Sequence, residues 1–578
     1  MILQALYDYY ERKSRDGDSG LAEFGFEWKE LPFIIEIDEK GEVVQIEDTR
    51  EGEGRRKRAR AFLVPQGIKK TSGIAANLLW DNAEYLLGVQ TAKGKPERIA
   101  KQHEAFVEKI ATLPESVRRD CGVQAVLTFL EKPDWKVLEQ SPAWEEILLT
   151  NPVMTFRIQG DMELVCQRPA VVEWLREELA RQNIDGRCLI TGEPAQIERL
   201  HTSIKGVWGA QTSGANIVSF NLDAFTSYGK SQGYNAPVGR RSAFAYTTAL
   251  NHLLRKGSPQ RIQVGDASTV FWAQRETALE TGFAEMFGEP PKDDPDRNVR
   301  AVASLYRSIE HGLLSSDEGN TRFYVLGLAP NASRIAIRFW EATTVAGLAG
   351  RIRQHFDDLA IVHSDRDPPY LPLLRLLESV AVREKADNIP PNLAGETMRS
   401  ILTGLPYPQA LLAAAVRRNR AERSVGYRRA ALIKACLNRQ ARFHSSDSKE
   451  EITVSLDKDN RNPGYRLGRL FAVLEKIQEE AVNPKATIRD RYYGAASATP
   501  VSVFSTLLKL KNHHLGKLEN RGRVVNFERL LGEIMDGISD FPPVLSLSDQ
   551  GRFAIGYYHQ RQDFFNKTTA SETEGEKE

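Results

Sequence analysis

The sequence predicts an α+β protein, with a mixed N-terminal region of small antiparallel sheets and helices and an all-α helical bundle toward the C-terminal end. Two observations carry this. Short apolar runs bounded by Gly, Pro and Asp, the mark of strands and hairpins, are confined to roughly the first 370 residues. Beyond them apolar residues recur at helical spacing to about residue 535, and breakers at Pro484, Gly494 and Gly516 divide 463–535 into roughly four helices, which suits an antiparallel bundle.

Taken in order, Leu3, Leu6 and Tyr10 share one helical face, so 2–14 reads as an amphipathic helix. Residues 33–37 and 42–46 read as a hairpin turned at 38–41, and 61–64 as a further strand stopped by Pro65. The segment 66–88 begins loop-like and basic, with Leu78, Leu79, Tyr85 and Leu86 forming a helix or packed turn after it. Two helices are read over 95–131, a hairpin about Gly160 and Asp161 over 153–166, and a helix over 170–181. A long polar tract precedes a helix over 242–254 and a strand over 269–273. Pro330 and Asn331 split strands 323–328 and 334–339 of another hairpin, which leads into a helix over 345–359. The chain thus divides into an N-terminal α+β region over 1–370, a helical connector with a basic patch over 371–460, and a bundle over 461–565. A polar, acidic tail over 566–578 is expected to be disordered.

At 578 residues the chain exceeds what one core supports, and three or four units are expected. Hydrophobic content of 41% and charge of 27% are ordinary for a globular protein, and no apolar run approaches the roughly 18 residues of a membrane span. The N-terminus carries acids early and lacks the basic start of a secretory signal, so a cytoplasmic location is expected. Cys121, Cys166, Cys188 and Cys436 are too few for a disulfide framework.

A net charge of +1 excludes a protein that coats nucleic acid indiscriminately, because such binding needs a broad excess of Lys and Arg. Any basic surface is therefore local. Arg55, Arg56, Lys57, Arg58 and Arg60 form one run, and residues 401–450 hold ten Arg or Lys against three acids. Both also read as solvated surface. The most informative stretch is 209–241, with five glycines, eleven Ser, Thr, Asn or Gln, three Arg or Lys and one acid, Asp223. Glycines admit close backbone approach, amides and hydroxyls bond phosphates or base edges, and Phe225, Tyr228 and Tyr234 offer flat faces. A long polar connection between strands is the other reading.

Four catalytic or metal readings fare poorly. The loop 224–231, AFTSYGKS, fits a loose phosphate-loop pattern after a possible strand at 217–220, but Gly233, Asn235 and Pro237 arrive too soon for the helix that must begin at the Lys. Cys188-Leu-Ile-Thr-Gly-Glu193 is half a zinc knuckle, with Thr191 where a second Cys would stand and only Cys166 and His201 in reach. His363, Asp365 and Asp367 cluster before Pro368 and Pro369, and His513 pairs with His514, each as a turn or a helix surface would.

Several ordered segments together resemble the large subunit of the type I-C CRISPR Cascade surveillance complex, the Csd-type family. They are MILQALYDYYERK at the start, TSGIAANLLWDNAEYLLG from Thr71, CLITGE with RLHTSIKGVWGAQTSGANIVSFN, GYNAPVGRRSAFAYTTALNHLL, VGDASTVFWA from Val264 and FYVLGLAPNASRIAIRFW from Phe323. The resemblance covers nearly the whole chain and implies a non-catalytic, cofactor-free DNA-binding subunit. It would recognise the protospacer-adjacent motif on duplex DNA, help open the duplex and nucleate the R-loop, and support recruitment of a helicase-nuclease. The implied partners are the CRISPR RNA, the backbone, crRNA-processing and small subunits, double-stranded target DNA, the displaced single strand and the helicase-nuclease, with no membrane.

On this reading Lys69, Lys70, Lys230, Arg240 and Arg241 would hold phosphates, and Ser72, Asn77, Gln211, Ser213 and Asn216 would read the motif in a groove. Phe225, Tyr228 or Tyr234 would wedge or stack at the first opened step. Arg417, Arg418, Arg420, Arg428 and Arg429 would form an electrostatic track for the displaced strand. The bundle would resemble the small subunit, whose separate translation from within this gene is expected at roughly 455–578. A nucleotide- or metal-dependent enzyme using the 224–231 loop and a purely structural assembly subunit are the alternatives.

Overall fold

A computed structural model describes residues 1–16, 20–52, 57–68, 70, 73–181, 183–311, 315–390, 392–444 and 452–575. The chain forms two compact units, Met1–Ile204 with Asn216–His252, and Lys205–Ala215 with Leu253–Glu578. The region read as 1–370 is therefore shared between them, its part from Leu253 belonging to the second.

The first unit opens with α1 (Ile2–Lys13), which buries Ala5, Leu6, Tyr9 and Tyr10 on one face. Five strands follow, β1 (Phe26–Glu30), β2 (Phe33–Ile37), β3 (Val43–Asp48), β4 (Ala61–Pro65) and β5 (Trp80–Asn82). The helices α2 (Ala83–Leu87), α3 (Pro96–Ala111), α4 (Glu115–Arg118), α5 (Cys121–Glu131), α6 (Trp135–Glu139) and α7 (Trp144–Thr150) lead to β6 (Val153–Ile158). After β6 come α8 (Pro169–Ala180), β7 (Gly186–Arg187), β8 (Pro194–Ala195) and α9 (Arg240–Leu254).

β1 and β4 form a two-stranded sheet, and a four-stranded sheet runs in the order β3-β2-β6-β5. β2, with all five residues buried, lies antiparallel to β3 and parallel to β6. A parallel pair needs a long crossover, and α2 to α7 supply it, α5 packing on both strands. The core gathers Phe33, Ile35, Trp80, Phe106, Phe129 and Phe156. The expected hairpin over 153–166 does not form. Only a single bridge, Arg157 to Leu164, links its arms, because Leu164, Val165 and Cys166 are a buried turn and β6 finds partners in β2 and β5.

The second unit contains one antiparallel sheet ordered β12-β11-β10-β9, built from β9 (Arg261–Val264), β10 (Ala267–Ala273), β11 (Arg322–Asn331) and β12 (Arg334–Thr344). Between β10 and β11 lie α10 (Ala278–Phe287), α11 (Arg297–Glu310) and α12 (Ser316–Gly319), and α13 (Val345–Leu359) follows β12. Then α14 (Leu373–Val380), α15 (Leu393–Thr403), α16 (Gln409–Glu422) and α17 (Tyr427–His444) lead to the bundle of α18 (Pro463–Val482), α19 (Ile488–Ala496), α20 (Phe504–Leu515), α21 (Arg521–Met535) and α22 (Leu547–Gly575). The last helix takes in residues 566–575 of the segment read as a tail.

Local chemistry accounts for the bundle helices. Pro463 sits at the start of α18, where a missing N–H is harmless, and the Asn462 side chain caps it by accepting from Tyr465 N. Thr487 and Asp490 form a capping box on α19. α18 and α22 cross through glycines: a Cβ on Gly468 would lie far inside contact distance of the Phe553 carbonyl, and one on Gly556 likewise of the Tyr465 carbonyl. A core around Phe471, Tyr493, Phe504 and Phe553 fills the bundle, and a second one runs from β9 through α17 to Tyr558. The architecture is α+β, with the sheets built from residues up to Thr344 and, among the described residues, helices as the regular elements beyond β12. Among the described residues no helix is long and apolar enough to cross a membrane.

Candidate nucleic-acid interface

The first of the two polar segments is organised around Asp81, whose side chain is only 4% exposed. Its carboxylate accepts from Lys70 Nζ at 2.6 Å on both oxygens and from the amides of Asn77 and Asn82 at 3.0 and 2.9 Å. The Lys70 ammonium also lies 3.6 Å from the Tyr85 ring centroid. Asn77 is buried, and its side-chain oxygen accepts from Ile68 N at 2.9 Å. Lys70 and Asn77, read from the sequence as DNA contacts, thus fold the segment, since a buried carboxylate requires a cation and donors. Lys69, Ser72, Arg55 and Arg56 lie outside the described residues.

The second segment presents a different surface. Asn216 is half-buried and donates from its amide to the His201 carbonyl at 3.0 Å. Phe225 ends a single 3₁₀ turn, Asp223–Phe225, and is half-buried. The chain then reverses between Ser227 and Lys230, with Lys230 N donating to Ser227 O at 3.0 Å. Both central residues are left-handed, Tyr228 at φ +52° and Gly229 at φ +70°, the signature of a two-residue type I′ turn.

Asn235 clips this tip from below: its side chain accepts from Ser227 N at 2.9 Å and donates to Lys230 O and Gln232 O at 2.8 and 3.0 Å. At the summit the Tyr228 side chain is 98% exposed. A bulky residue in the left-handed region is uncommon, and no packing holds this one there. Lys230 beside it is exposed.

Tyr234, another expected wedge, is tied down. Its hydroxyl donates to Asp185 Oδ2 at 2.7 Å, and Asp185 Oδ1 accepts from Ile197 N at 2.7 Å. These two bonds hold the Asp185 carboxyl below the usual range. Arg240 and Arg241, at the start of α9, are exposed and lie 3.9 and 3.1 Å from Glu198 and Glu11. Tyr228, Lys230, Arg240 and Arg241 all belong to the first unit, whereas Gln211 and Ser213, also exposed, belong to the second.

The competing chemistries find little purchase. No strand forms at 217–220, and Lys230 leads only to the 3₁₀ turn Gln232–Asn235, so the elements that flank a phosphate loop are missing there. The Cys188 sulfur is buried, bonded to Ser242 Oγ and to Ile190 N at 3.4 Å each. Burial pushes its thiol up, but Ser242 and the Gly239, Thr191 and Ile190 amides outweigh this and bring it down to about 7. The His363 ring lies tilted against that of Tyr427, centroids 4.9 Å apart, and its Nδ1 bonds the Ser364 carbonyl.

In the second unit the expected five-arginine track is divided. Arg417 and Arg420 are exposed on α16, but Arg418 pairs with Glu422. Arg429 is buried, 2.5 Å from Glu422 and 3.2 Å from the Ser379 carbonyl, while its neighbour Arg428 stands 3.6 Å from Glu384. Adjacent helical residues point about 100° apart, so in each Arg-Arg pair one turns inward. Burial works against ionisation of Glu422, yet its bonds from Arg418 and Arg429 hold it below the usual range.

The sequence reading missed the internal use of Lys70 and Arg429, and it did not distinguish Tyr228 from Phe225 and Tyr234. The Tyr-Gly pair before Lys230 is the one local signal for a presented tip. A search of curated proteins returned no match. The family described as CRISPR-associated protein (Cas_Csd1) matches residues 6–565, nearly the entire chain. The chain belongs to this family, and is a Csd-type large subunit of the type I-C CRISPR Cascade.

Proposed function

We propose that this large subunit recognises the protospacer-adjacent motif on duplex DNA and begins strand separation with the Tyr228 tip, without a catalytic step of its own. The observation that carries the reading is Tyr228, 98% exposed in a left-handed turn and clipped by Asn235, with Lys230 beside it. Folding gains nothing from that ring. A stacking partner does: aromatic–base stacking contributes about 1–3 kcal/mol per base. Lys230, Arg240 and Arg241 would hold the flanking phosphates, and Gln211, Ser213 and Asn216 are the remaining candidates for groove readout. Guide pairing roughly replaces the duplex stacking it removes, so a modest wedge suffices to tip the exchange. Arg417, Arg420 and Arg428 would steer the displaced strand, and the helicase-nuclease would act on the opened complex.

The test places a photoreactive benzophenone at position 228 in the complex assembled with guide RNA and target duplex. A crosslink to DNA at the junction between motif and first guide-paired step is expected. DNA bound with no crosslink there refutes the wedge. Incubating the isolated chain with labelled duplex, Mg²⁺ and ATP should leave both substrates intact, and cleavage or hydrolysis would favour the enzyme reading.

A further inference from the structure

The loop that carries Tyr228 returns through Tyr234, and Tyr234 lines a cleft of about 520 Å³ within the first unit. Trp174 of α8 supplies another aromatic surface, Glu198 a carboxyl group, and Lys109, Arg199 and Arg240 three cations. The lining sets these aromatic rings and a few aliphatic side chains among many polar and charged groups, as suits a polar ligand with one flat face, and the volume falls in the usual range of roughly 300–1,000 Å³ for a ligand site. We infer that the cleft is a nucleotide-binding site that receives one guanine nucleotide extruded from the opened duplex, an inference that rests on the strand-opening reading above.

Three features define the ligand. A wedge that unstacks a base leaves its flat face in water unless another surface takes it, and enzymes that extrude bases seat them between aromatic or apolar side chains and read the Watson–Crick edge. Tyr234 is suited to that role because its hydroxyl is anchored on Asp185 at 2.7 Å, which fixes the ring before any ligand arrives. Glu198 supplies the edge contact. Its carboxylate lies 3.9 Å from Arg240 Nε, too far for a hydrogen bond, and the donors it has are backbone amides, Leu200 N at 3.5 Å and that of Arg199. Burial holds this carboxyl above the usual range despite the Leu200 and Arg199 amides and the Arg240 and Arg199 charges, so it gains from further donors. Guanine offers two adjacent donors, N1–H and the N2 amino group, to a single carboxylate. Adenine presents an acceptor at N1 and fits poorly. Lys109, Arg199 and Arg240 would neutralise the nucleotide's phosphate.

The test uses the assembled complex and target duplexes carrying one 6-thioguanine, moved through the first positions beside the motif on either strand. Near-ultraviolet irradiation and mass spectrometry should locate a crosslink on residues 174–179, 196–200 or 234–240 at one position. Replacing guanine by adenine at that position should slow R-loop formation about 5- to 150-fold, the range for one bidentate base contact. Glu198→Gln should remove that discrimination, leaving guanine and adenine duplexes equal. Crosslinks confined to the Tyr228 tip, or full discrimination in the Glu198→Gln complex, overturn the cleft assignment while the wedge survives. A complex that fails to bind motif-bearing duplex overturns both.

Discussion

Replacing Tyr228 with Asn separates a binding role from a folding role, because the two predict changes of opposite sign. The side chain is 98% exposed, so its removal forfeits almost no buried apolar surface. Its backbone sits at φ +52°, ahead of Gly229 at φ +70°. Asn tolerates the left-handed region far better than Tyr, and Asn-Gly is the preferred pair for a type I′ turn. Relief of roughly 0.5–1 kcal/mol of backbone strain is therefore expected, with no loss elsewhere. Binding moves the other way. Loss of one stacked aromatic weakens a nucleic-acid complex by about 1–3 kcal/mol, or about 5- to 150-fold in Kd.

Thermal unfolding of the chain and equilibrium binding of a motif-bearing duplex to the assembled complex, at one fixed salt concentration, read the two terms. Unfolding should occur at the same temperature or slightly higher, while the duplex binds at least about 5-fold more weakly. Tyr228→Phe, which keeps the ring, should bind as the parent does. A destabilised Asn variant would mean that the ring packs in solution, and an Asn variant with unchanged affinity would mean that the tip touches no base.

Three further outcomes follow from the interior. Lys70→Met leaves the Asp81 carboxylate buried without its cation and should destabilise the chain by about 3 kcal/mol in urea unfolding, with Asp81→Asn restoring most of the loss in the double variant. Gly468→Ala or Gly556→Ala forces a methyl into the backbone of the facing helix and should cost at least about 3 kcal/mol or prevent α18 and α22 from docking, seen as loss of the cooperative transition. His559 is buried beside Tyr465 and near Lys434, and burial first, then that ammonium, brings its folded value down to about 3. The unfolded imidazole takes a proton below about pH 6.5 while the folded one stays neutral, so its contribution is intact above that value and declines by about 1.4 kcal/mol per pH unit from there down to about pH 3. His559→Gln should flatten the stability profile by about that slope.

The sequence was most legible where period and breakers agree locally. The helix Val345–Leu359 has the bounds its spacing predicts, and β2 and β3 meet across the Asp38 turn as their pattern requires. Pairings distant in sequence were illegible. The run that becomes β6 looked like half of a hairpin because its nearest apolar neighbour is Leu164–Cys166, whereas its partners lie in β2 and β5, supplied by a crossover no local signal announces. β1, FEWKE, mixes charges with its apolar residues, and only its partner β4 makes it a strand. The site was legible as composition but not as geometry. A lysine reads the same whether it faces a phosphate or a buried Asp81, and the Arg418 and Arg429 pairings depend on where Glu422 falls on a folded helix.

That distinction sets how strongly salt should act on the complex. Much of the positive charge counted in the sequence is engaged in internal pairs, such as Lys70 with Asp81, Arg439 and Arg442 with Asp358, and Arg429 with Glu422. On the first unit the tip and the start of α9 present Lys230 and, in exposed pairs with Glu198 and Glu11 that a phosphate can displace, Arg240 and Arg241, about three cations at most. Each phosphate neutralised contributes about −0.9 to the slope of log K against log salt, so motif-duplex binding by the chain without guide pairing should show a slope near −3. Between 50 and 200 mM salt, affinity should then fall about 40-fold, well short of the 10³- to 10⁵-fold loss expected for six to ten contacts. On the proposed reading, so few charges leave most of the hold on duplex DNA to stacking and close backbone approach, which salt hardly affects. A slope of six or more would place a broader cationic surface on the duplex, Arg417, Arg420 and Arg428 among it, and would reduce the Tyr228 tip to a minor contributor.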